Sequence, residues 1–329
     1  MSKFAVMTFR DTGGQSTDTG VLGGLMNVLK GWHSRSVLQP VGTIYFKQDG
    51  LEMGYILQLP DFMVNWDVLP TGRRSKRLLR YLRLLKELGV EAVCIPDCWV
   101  VLPQEAMEAI KEIFAVDSVY QIRVFALANS IKHLLGMLKD RVSNLKVGIW
   151  GADTWAGRLF ARVMAPYIND MVLGGTAERK LYELADEVLM ETGLACPVTT
   201  DAAKCLKDKQ LVAVADECDF GMLSNYTIVA YAAQVNLKHI EAMKSHREIF
   251  WILSGWATLP DEIKADIELM PWESLGVLQA LSIMEDEIGE MSHILEKVKM
   301  RGFISLEGGI TYDTFRIRYL RKKGVILFP

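Results

Sequence analysis

The strongest constraint lies in the second half of the sequence, where short apolar runs and amphipathic stretches take strict turns. Asn129–Leu138 reads as helix, Lys146–Trp150 as strand, Trp155–Met164 as helix, Met171–Gly174 as strand and Glu178–Thr192 as helix. Pro197–Thr199 then reads as a short strand, Asp201–Lys207 as helix and Leu211–Ala215 as strand. After a less regular stretch, Ile249–Ser254 is a further buried strand. Consecutive strands separated by helices are joined by crossovers, so this alternation specifies a parallel sheet covered by helices on both faces. Half of the residues are apolar and 23% are charged, which supplies a core for both faces and excludes a disordered chain.

The first part is more mixed. Phe4–Phe9 reads as a strand, followed by a Gly/Thr/Asp-rich loop and an apolar-periodic stretch, Val21–Lys30. Val41–Phe46 and Gly54–Leu59 flank the turn signal Gln48-Asp49-Gly50. Residues 73–88 read as an amphipathic helix with Leu78, Leu79, Leu82, Leu85 and Leu88 on its apolar side and Gly89 as its cap. Ala92–Pro96 is a buried strand and Gln104–Phe114 a helix. From about Pro271 the tail reads as a long helix, Leu275 to roughly Lys299, and a last strand, Val325–Phe328. The expected fold class is therefore α/β, in two domains. Residues 1–128 form an N-terminal α/β substrate domain and 129–270 a Rossmann-type nucleotide-binding domain. The C-terminal helix and strand in 271–329 pack back across both.

Charge and cysteine usage narrow the functional classes. With 37 basic and 40 acidic residues the formal charge is −3, which excludes a protein that coats nucleic acid. Five scattered cysteines without a CxxC pair read as free thiols in a reducing compartment. Cys94-x-x-x-Cys98 lacks the further ligands that a metal site needs. No apolar run approaches the roughly 18 residues of a membrane span, and the polar stretch from Asp11 interrupts any signal-like centre. The expectation is a cytoplasmic globular protein without a membrane span, able to form a homo-oligomer.

The most informative segment is Val147 to Gly157. It follows a strand and opens a helix, where a dinucleotide fingerprint belongs. Gly151 suits the tight turn, Ala152 follows it, and Ala156 or Gly157 allows close helix–strand packing. The N–H groups at the helix start would then face a diphosphate. The middle glycine of the fingerprint is replaced by Asp153 or Thr154, depending on register, and Trp155 is bulky for a first helical turn. The next strand ends Gly174-Gly175-Thr176-Ala177 without an acid. Thr176, Arg179 and Lys180 suit a 2′-phosphate, so NADP is the expected cofactor, with NAD as the other possibility. Ala215, at the end of the strand Leu211–Ala215, belongs to the same expected cofactor set.

Several side chains offer chemistry. Asp97 and Cys98 follow a strand end, where a thiol of lowered pKa serves as a nucleophile and an ordinary one as a small buried hydrophobe. Asn129 and Ser130 read locally as the N-cap of the helix Ile131–Leu138. Lys132 and His133 follow on that helix, either able to protonate a developing alkoxide, or else solvated and partly buried respectively. Arg73, Arg74, Lys76, Arg77, Arg80, Arg83 and Lys86 make the helix 73–88 basic. That face fits an acidic carrier protein or an anionic substrate tail, or is simply solvated.

The order of segments resembles the aldehyde-forming fatty acyl-[acyl-carrier-protein] reductases, within the wider shikimate dehydrogenase-like group. Gly54-Tyr55-Ile56, the basic helix ending in Gly89 and Ile95-Pro96-Asp97-Cys98-Trp99 carry part of it. Ala128-Asn129-Ser130 resembles the family's Gly-Asn-Thr. Gly151 to Gly157 resembles its Gly-Ala-Thr-Gly-x-x-Gly, and Thr176-Ala177-x-Arg179 its Thr-Ala-Arg. Arg301-Gly302-Phe303-Ile304-Ser305-Leu306 resembles its His-Gly-Phe-x-Pro-Leu. The resemblance spans most of the chain through short motifs. It implies an NADP-dependent oxidoreductase acting on a carbonyl or acyl substrate in an interdomain cleft, with Asn129 or Ser130 orienting the substrate or nicotinamide. The family's acyl-carrying cysteine is missing: the comparable stretch is Ser274 to Leu281, and no cysteine follows Cys218. The covalent step is therefore not implied. The alternative is a non-catalytic ligand-binding or regulatory protein on a degenerate Rossmann scaffold.

Overall fold

The structure, a computed structural model, describes residues 2–9, 40–64, 66–68, 70–96, 102–117, 119–138, 144–235, 237–284 and 298–317. The stretch Val21–Lys30, the strand Val325–Phe328, Asp97 and Cys98 lie outside the described residues, as does the expected helix beyond Met284. The chain divides into two compact units. One comprises Met1–Val119 with Asp261–Glu287, the other Tyr120–Pro260 with Ile288–Pro329. This differs from three consecutive segments cut at 128 and 270. The helix expected from Asn129 starts at Tyr120, and the segment after Pro260 supplies a strand and a helix to the first unit.

The first unit holds β1 (Lys3–Thr8), β2 (Pro40–Phe46), β3 (Glu52–Gln58), β4 (Val90–Cys94), β5 (Ala115–Asp117) and β13 (Ile263–Ala265) in the order β13-β2-β3-β1-β4-β5. β1 lies parallel to β3 and β4, and β4 to β5; β2 runs antiparallel to β3, and β13 to β2. The β2–β3 connection is short because Gly50 takes φ +68° and Asp49 accepts a hydrogen bond from the Leu51 N–H at 3.0 Å. A short helix, α1 (Asp61–Val64), precedes α2 (Thr71–Glu87) and α3 (Gln104–Lys111). Leu78, Tyr81, Leu82 and Leu85 of α2 pack with Ala5, Met7, Leu57 and Val93. Leu79, expected on that apolar side, is exposed, because it falls about 100° from Leu78 around the helix. Gly89 ends α2 in the left-handed region, φ +77°. The helix α9 (Pro271–Met284) crosses β1, where a Cβ on Gly276 would meet the Val6 side chain.

The second unit holds α4 (Tyr120–Leu138), β6 (Lys146–Trp150), α5 (Trp155–Met164), β7 (Asp170–Gly174), α6 (Glu178–Thr192), β8 (Val198–Thr199), α7 (Ala202–Leu206) and β9 (Leu211–Val214). These follow the expected alternation closely. β10 (Ile228–Tyr231) and α8 (Leu237–Ser245) occupy the stretch that lacked a clear pattern, and β11 (Phe250–Ile252) completes the sheet. Its order is β8-β7-β6-β9-β10-β11, parallel at every pairing. Counted by appearance this is 3-2-1-4-5-6, the Rossmann order, with its reversal between β6 and β9.

The single strand expected at Ile249–Ser254 is two. β11 pairs with β10, whereas β12 (Ser254–Ala257) pairs antiparallel with β14 (Met300–Ser305), which in turn pairs with β15 (Gly308–Thr311) ahead of the short α10 (Tyr312–Phe315). The chain changes sheets at Leu253, whose N–H donates to the Ile304 carbonyl at 2.8 Å. Glycine at 255 lets β12 lie on α4, since a Cβ there would be 2.2 Å from the Ala126 carbonyl oxygen.

Candidate functional site

Ligands of open parallel sheets gather beyond the strands' carboxyl ends at the order reversal. In this sheet that place is the turn after β6. Gly151 has φ +78°, and a Cβ there would sit 2.7 Å from both the amide nitrogen and Cβ of Asp216, so backbone angle and space both require glycine. Thr154 is the N-cap of α5: its Oγ1 accepts from the Gly157 N–H at 3.1 Å and donates to the Gly151 carbonyl at 2.7 Å. Gly157 brings the helix against the turn, since its Cβ would lie 2.1 Å from the Gly151 carbonyl oxygen. Ala152 donates its N–H to the Gly174 carbonyl at 2.8 Å. Among the described residues, the N–H groups of Asp153, Trp155 and Ala156 find no acceptor. The positive end of α5 is thus left for an anion.

The two bulky residues of the turn both lean aside. The indole of Trp155 lies against α4, with ring centroids 5.8 Å from Tyr120 and 5.9 Å from Phe125. The carboxylate of Asp153 reaches across to the end of β7. Its Oδ2 accepts from the Ala177 N–H at 2.8 Å, the Thr176 hydroxyl at 3.1 Å and the Thr176 N–H at 3.2 Å. Its Oδ1 is buried without a hydrogen-bond partner, and a Cβ on Gly175 would lie 2.1 Å from it. Asp153 therefore supplies the negative charge at the start of α6 that the N-cap residue Ala177 cannot. Arg179 turns along α6 to Glu183 at 2.9 Å, and Lys180 is exposed. Thr176 and Asp153 are brought together; Arg179 and Lys180 do not join them.

At the neighbouring strand ends, Ala215 is buried and donates its N–H to the Trp150 carbonyl at 2.8 Å. Two features had no sequence signal. The guanidinium of Arg123, fully buried, donates to the carbonyls of Leu253 (2.9 Å), Tyr231 (3.0 Å) and Ala233 (2.8 Å), and lies over the Tyr120 ring. The Tyr231 hydroxyl and His239 Nδ1 are 3.0 Å apart at the C-terminal end of β10. Nothing local in a sequence marks such partners, because each pair joins separate elements.

The residues expected to handle substrate are placed differently. Asn129 and Ser130 lie inside α4, which corrects the N-cap reading: the helix begins nine residues earlier because Ile122, Val124, Ala126 and Leu127 are also buried by it. Ser130 is fully buried, donating to the Gly302 carbonyl at 3.1 Å and accepting from the Tyr312 hydroxyl at 3.3 Å. Asn129 is half-buried, Lys132 is exposed, and exposed His133 stacks on Tyr312 at 4.0 Å. Asn129 and Lys132 follow Arg123 by roughly 9 and 14 Å of helix rise, away from the end of α4 that meets the strand termini. The described cysteines are poor nucleophiles. Burial pushes the Cys205 thiol up to about 12, and burial with nearby Asp219, Cys205 and Asp216 does the same to Cys218. Among the described residues no cluster of His, Cys, Asp or Glu is arranged to hold a metal, and no helix is long and apolar enough to cross a membrane.

No family model and no curated protein matches the chain. Solved structures do. A shikimate dehydrogenase in complex with NADP+ is 13% identical over 90% of this chain and 94% of its own, with a TM-score of 0.32. Quinate dehydrogenase from Corynebacterium glutamicum, in complex with NAD, is 11% identical over 90% and 98%, with a TM-score of 0.33. Δ1-pyrroline-2-carboxylate reductase from Thermococcus litoralis, in complex with NADH and L-proline, is 16% identical over 32% of this chain, with a TM-score of 0.26; this chain spans only 35% of that protein's length. Likenesses this faint bear on neither activity nor ligand, and the Rossmann assignment rests on strand order alone.

Proposed function

We propose that this protein is an oxidoreductase that binds a nicotinamide dinucleotide at the Gly151 turn and acts on a carbonyl or acyl group. The observation that carries this reading is the group of unmatched N–H donors on Asp153, Trp155 and Ala156 at the head of α5, located at the reversal of strand order. These donors fit a diphosphate, and Gly151 and Gly157 let the turn and the helix start pack closely enough to present them together. When bound, the nicotinamide accepts or donates a hydride. The chain's own part is to hold the diphosphate with those amides and to give or take a proton. Tyr231 and His239, hydrogen-bonded at the end of β10, suit the latter task better than Asn129, Ser130 or Lys132. Asp97 and Cys98 enter the proposal only through their place in the sequence just after β4.

The acyl-carrier aspect rests on that resemblance and on α2. Arg73, Lys76, Arg77, Arg80, Arg83 and Lys86 are all exposed along this helix, as docking of an acidic carrier protein requires. A non-catalytic reading draws on a different observation: the Asp216 backbone and Cβ lie against Gly151, which puts a carboxylate-bearing residue beside the proposed diphosphate. Calorimetric titration of the full chain with NADH and NADPH tests the cofactor reading. Saturable binding of at least one below millimolar concentration is expected; absence of both removes the oxidoreductase proposal. Binding without consumption of NADH or NADPH across aldehyde, keto-acid and acyl-thioester substrates would leave the non-catalytic reading.

A further inference from the structure

We infer that Asp153 sets the cofactor preference of this site, favouring NAD(H) over its 2′-phosphorylated form; the inference rests on the dinucleotide reading above. A 2′-phosphate needs hydrogen-bond donors and cations where the second strand meets its helix. Here the donors at that place, the Thr176 N–H, the Thr176 hydroxyl and the Ala177 N–H, converge on one oxygen, Asp153 Oδ2. The chain has filled its own anion cradle. The cations are not built into this place: the Arg179 guanidinium lies at Glu183 with its side chain 92% exposed, and Lys180 is exposed as well. A phosphate entering this place would displace a hydrogen-bonded carboxylate or stand beside it, and like charges in contact are strongly disfavoured.

The same geometry puts an acid beside the end of β7, which carries none of its own. In this fold such an acid accepts a ribose hydroxyl. The strand ends instead in Gly174-Gly175, and the absent Cβ of Gly175 is what admits a carboxylate from the β6 turn. Asp153 thus brings an acid from the first strand's turn to the second strand's end, where its Oδ1 is buried against Gly175 and its Oδ2 already accepts three hydrogen bonds. One residue replaces the middle glycine of the fingerprint and places a negative charge where a 2′-phosphate would stand.

The test is calorimetric titration of the full-length wild type, Asp153→Ser and Asp153→Asn with NADH and with NADPH. Circular dichroism checks that each variant folds. Wild type is expected to bind NADH at least about tenfold more tightly than NADPH, with both variants narrowing or inverting that ratio. Asp153→Asn keeps the side chain's size and one acceptor, so it serves if Asp153→Ser fails to fold; the wild-type ratio needs no variant at all. Equal or tighter binding of NADPH by wild type, or a ratio unchanged in the folded variants, overturns the role of Asp153 and leaves the dinucleotide reading standing. No binding of either nucleotide by wild type overturns both, including the case in which a variant gains affinity.

Discussion

Each unit fully buries one charged side chain among its described residues, and the two are of opposite sign. In the first, Glu273 in the opening turn of α9 accepts from the Thr8 hydroxyl at 2.6 Å and the Met270 N–H at 2.8 Å. In the second, Arg123 near the start of α4 donates to three backbone carbonyls, that of Tyr231 at the end of β10 and those of Ala233 and Leu253 just past β10 and β11. The difference follows from what each end of the backbone offers. A helix start presents N–H groups and accepts an anion; strands that run out together leave carbonyl oxygens and accept a cation. Thr8 is the last residue of β1, so both charges sit at strand ends, where the ladder stops satisfying the backbone. Burial of a charge here marks a geometric gap in backbone pairing, filled by whichever sign the gap demands.

The sharpest way to break this comparison is Arg123→Met, which leaves three buried carbonyls without that donor. A loss of about 3–5 kcal/mol in urea unfolding is expected, with hydrogen exchange rising first in peptides of β10, β11 and α4. Glu273→Gln keeps one acceptor but turns an amide N–H toward a donor. A smaller loss, about 1–3 kcal/mol, is expected, with exchange rising in β1 and α9 peptides. If each substitution loosens both units equally, the two charges are not local devices and the contrast drawn above fails.

Alkaline titration adds a further distinction. Cys205 and Cys218 in the second unit are held near 12 in the folded chain, against an ordinary value of 9. Their folded pKa is raised, so their contribution is complete below pH 9 and is lost as pH climbs from 9 towards 12. At pH 10 the loss is about 1 kcal/mol for each thiol. Cys94 in the first unit shifts in the same direction through burial, with Asp117 adding to it. Iodoacetamide at pH 8 is therefore expected to modify Cys94 and Cys205 only after unfolding, as peptide mass mapping would read. Rapid native labelling of Cys205 would contradict its buried placement. The smallest expected effect is a gain: Gly136 is in the interior of α4 with nothing within 4 Å of an added Cβ, so Gly136→Ala should stabilise by up to about 1 kcal/mol.

The legibility of the sequence also differs between regions. From Lys146 to Val214 the alternation of apolar run and amphipathic helix matches strands and helices within a residue or so, because each element is specified by neighbours a few positions away. Legibility falls where an element depends on a distant one. β10 is only four residues and was hidden in an irregular stretch, and the run 249–257 hid a change of sheet that depends on β14. α4 begins nine residues earlier than its polar Asn129-Ser130 signal, since a capping preference is weak against the burial of a continuing apolar face. In the candidate site, the Thr154 cap emerged only from the structure, whereas the Gly151 turn and the close approach at Gly157 were readable from spacing. The paths of Trp155 and Asp153 away from the turn, and the partners of Arg123 and His239, were not.

By itself the sequence determined the parallel sheet, because helix-spaced crossovers return each strand in the same direction, and it determined the glycine turn, because a tight turn between strand and helix calls for a residue without Cβ. Tertiary structure alone decided where the charges went. A carboxylate at position 153 is as compatible in sequence with blocking a diphosphate as with capping α6. The outcome was settled by Gly175, twenty-two residues away, whose missing side chain leaves room for the carboxylate to reach the amides of Thr176 and Ala177.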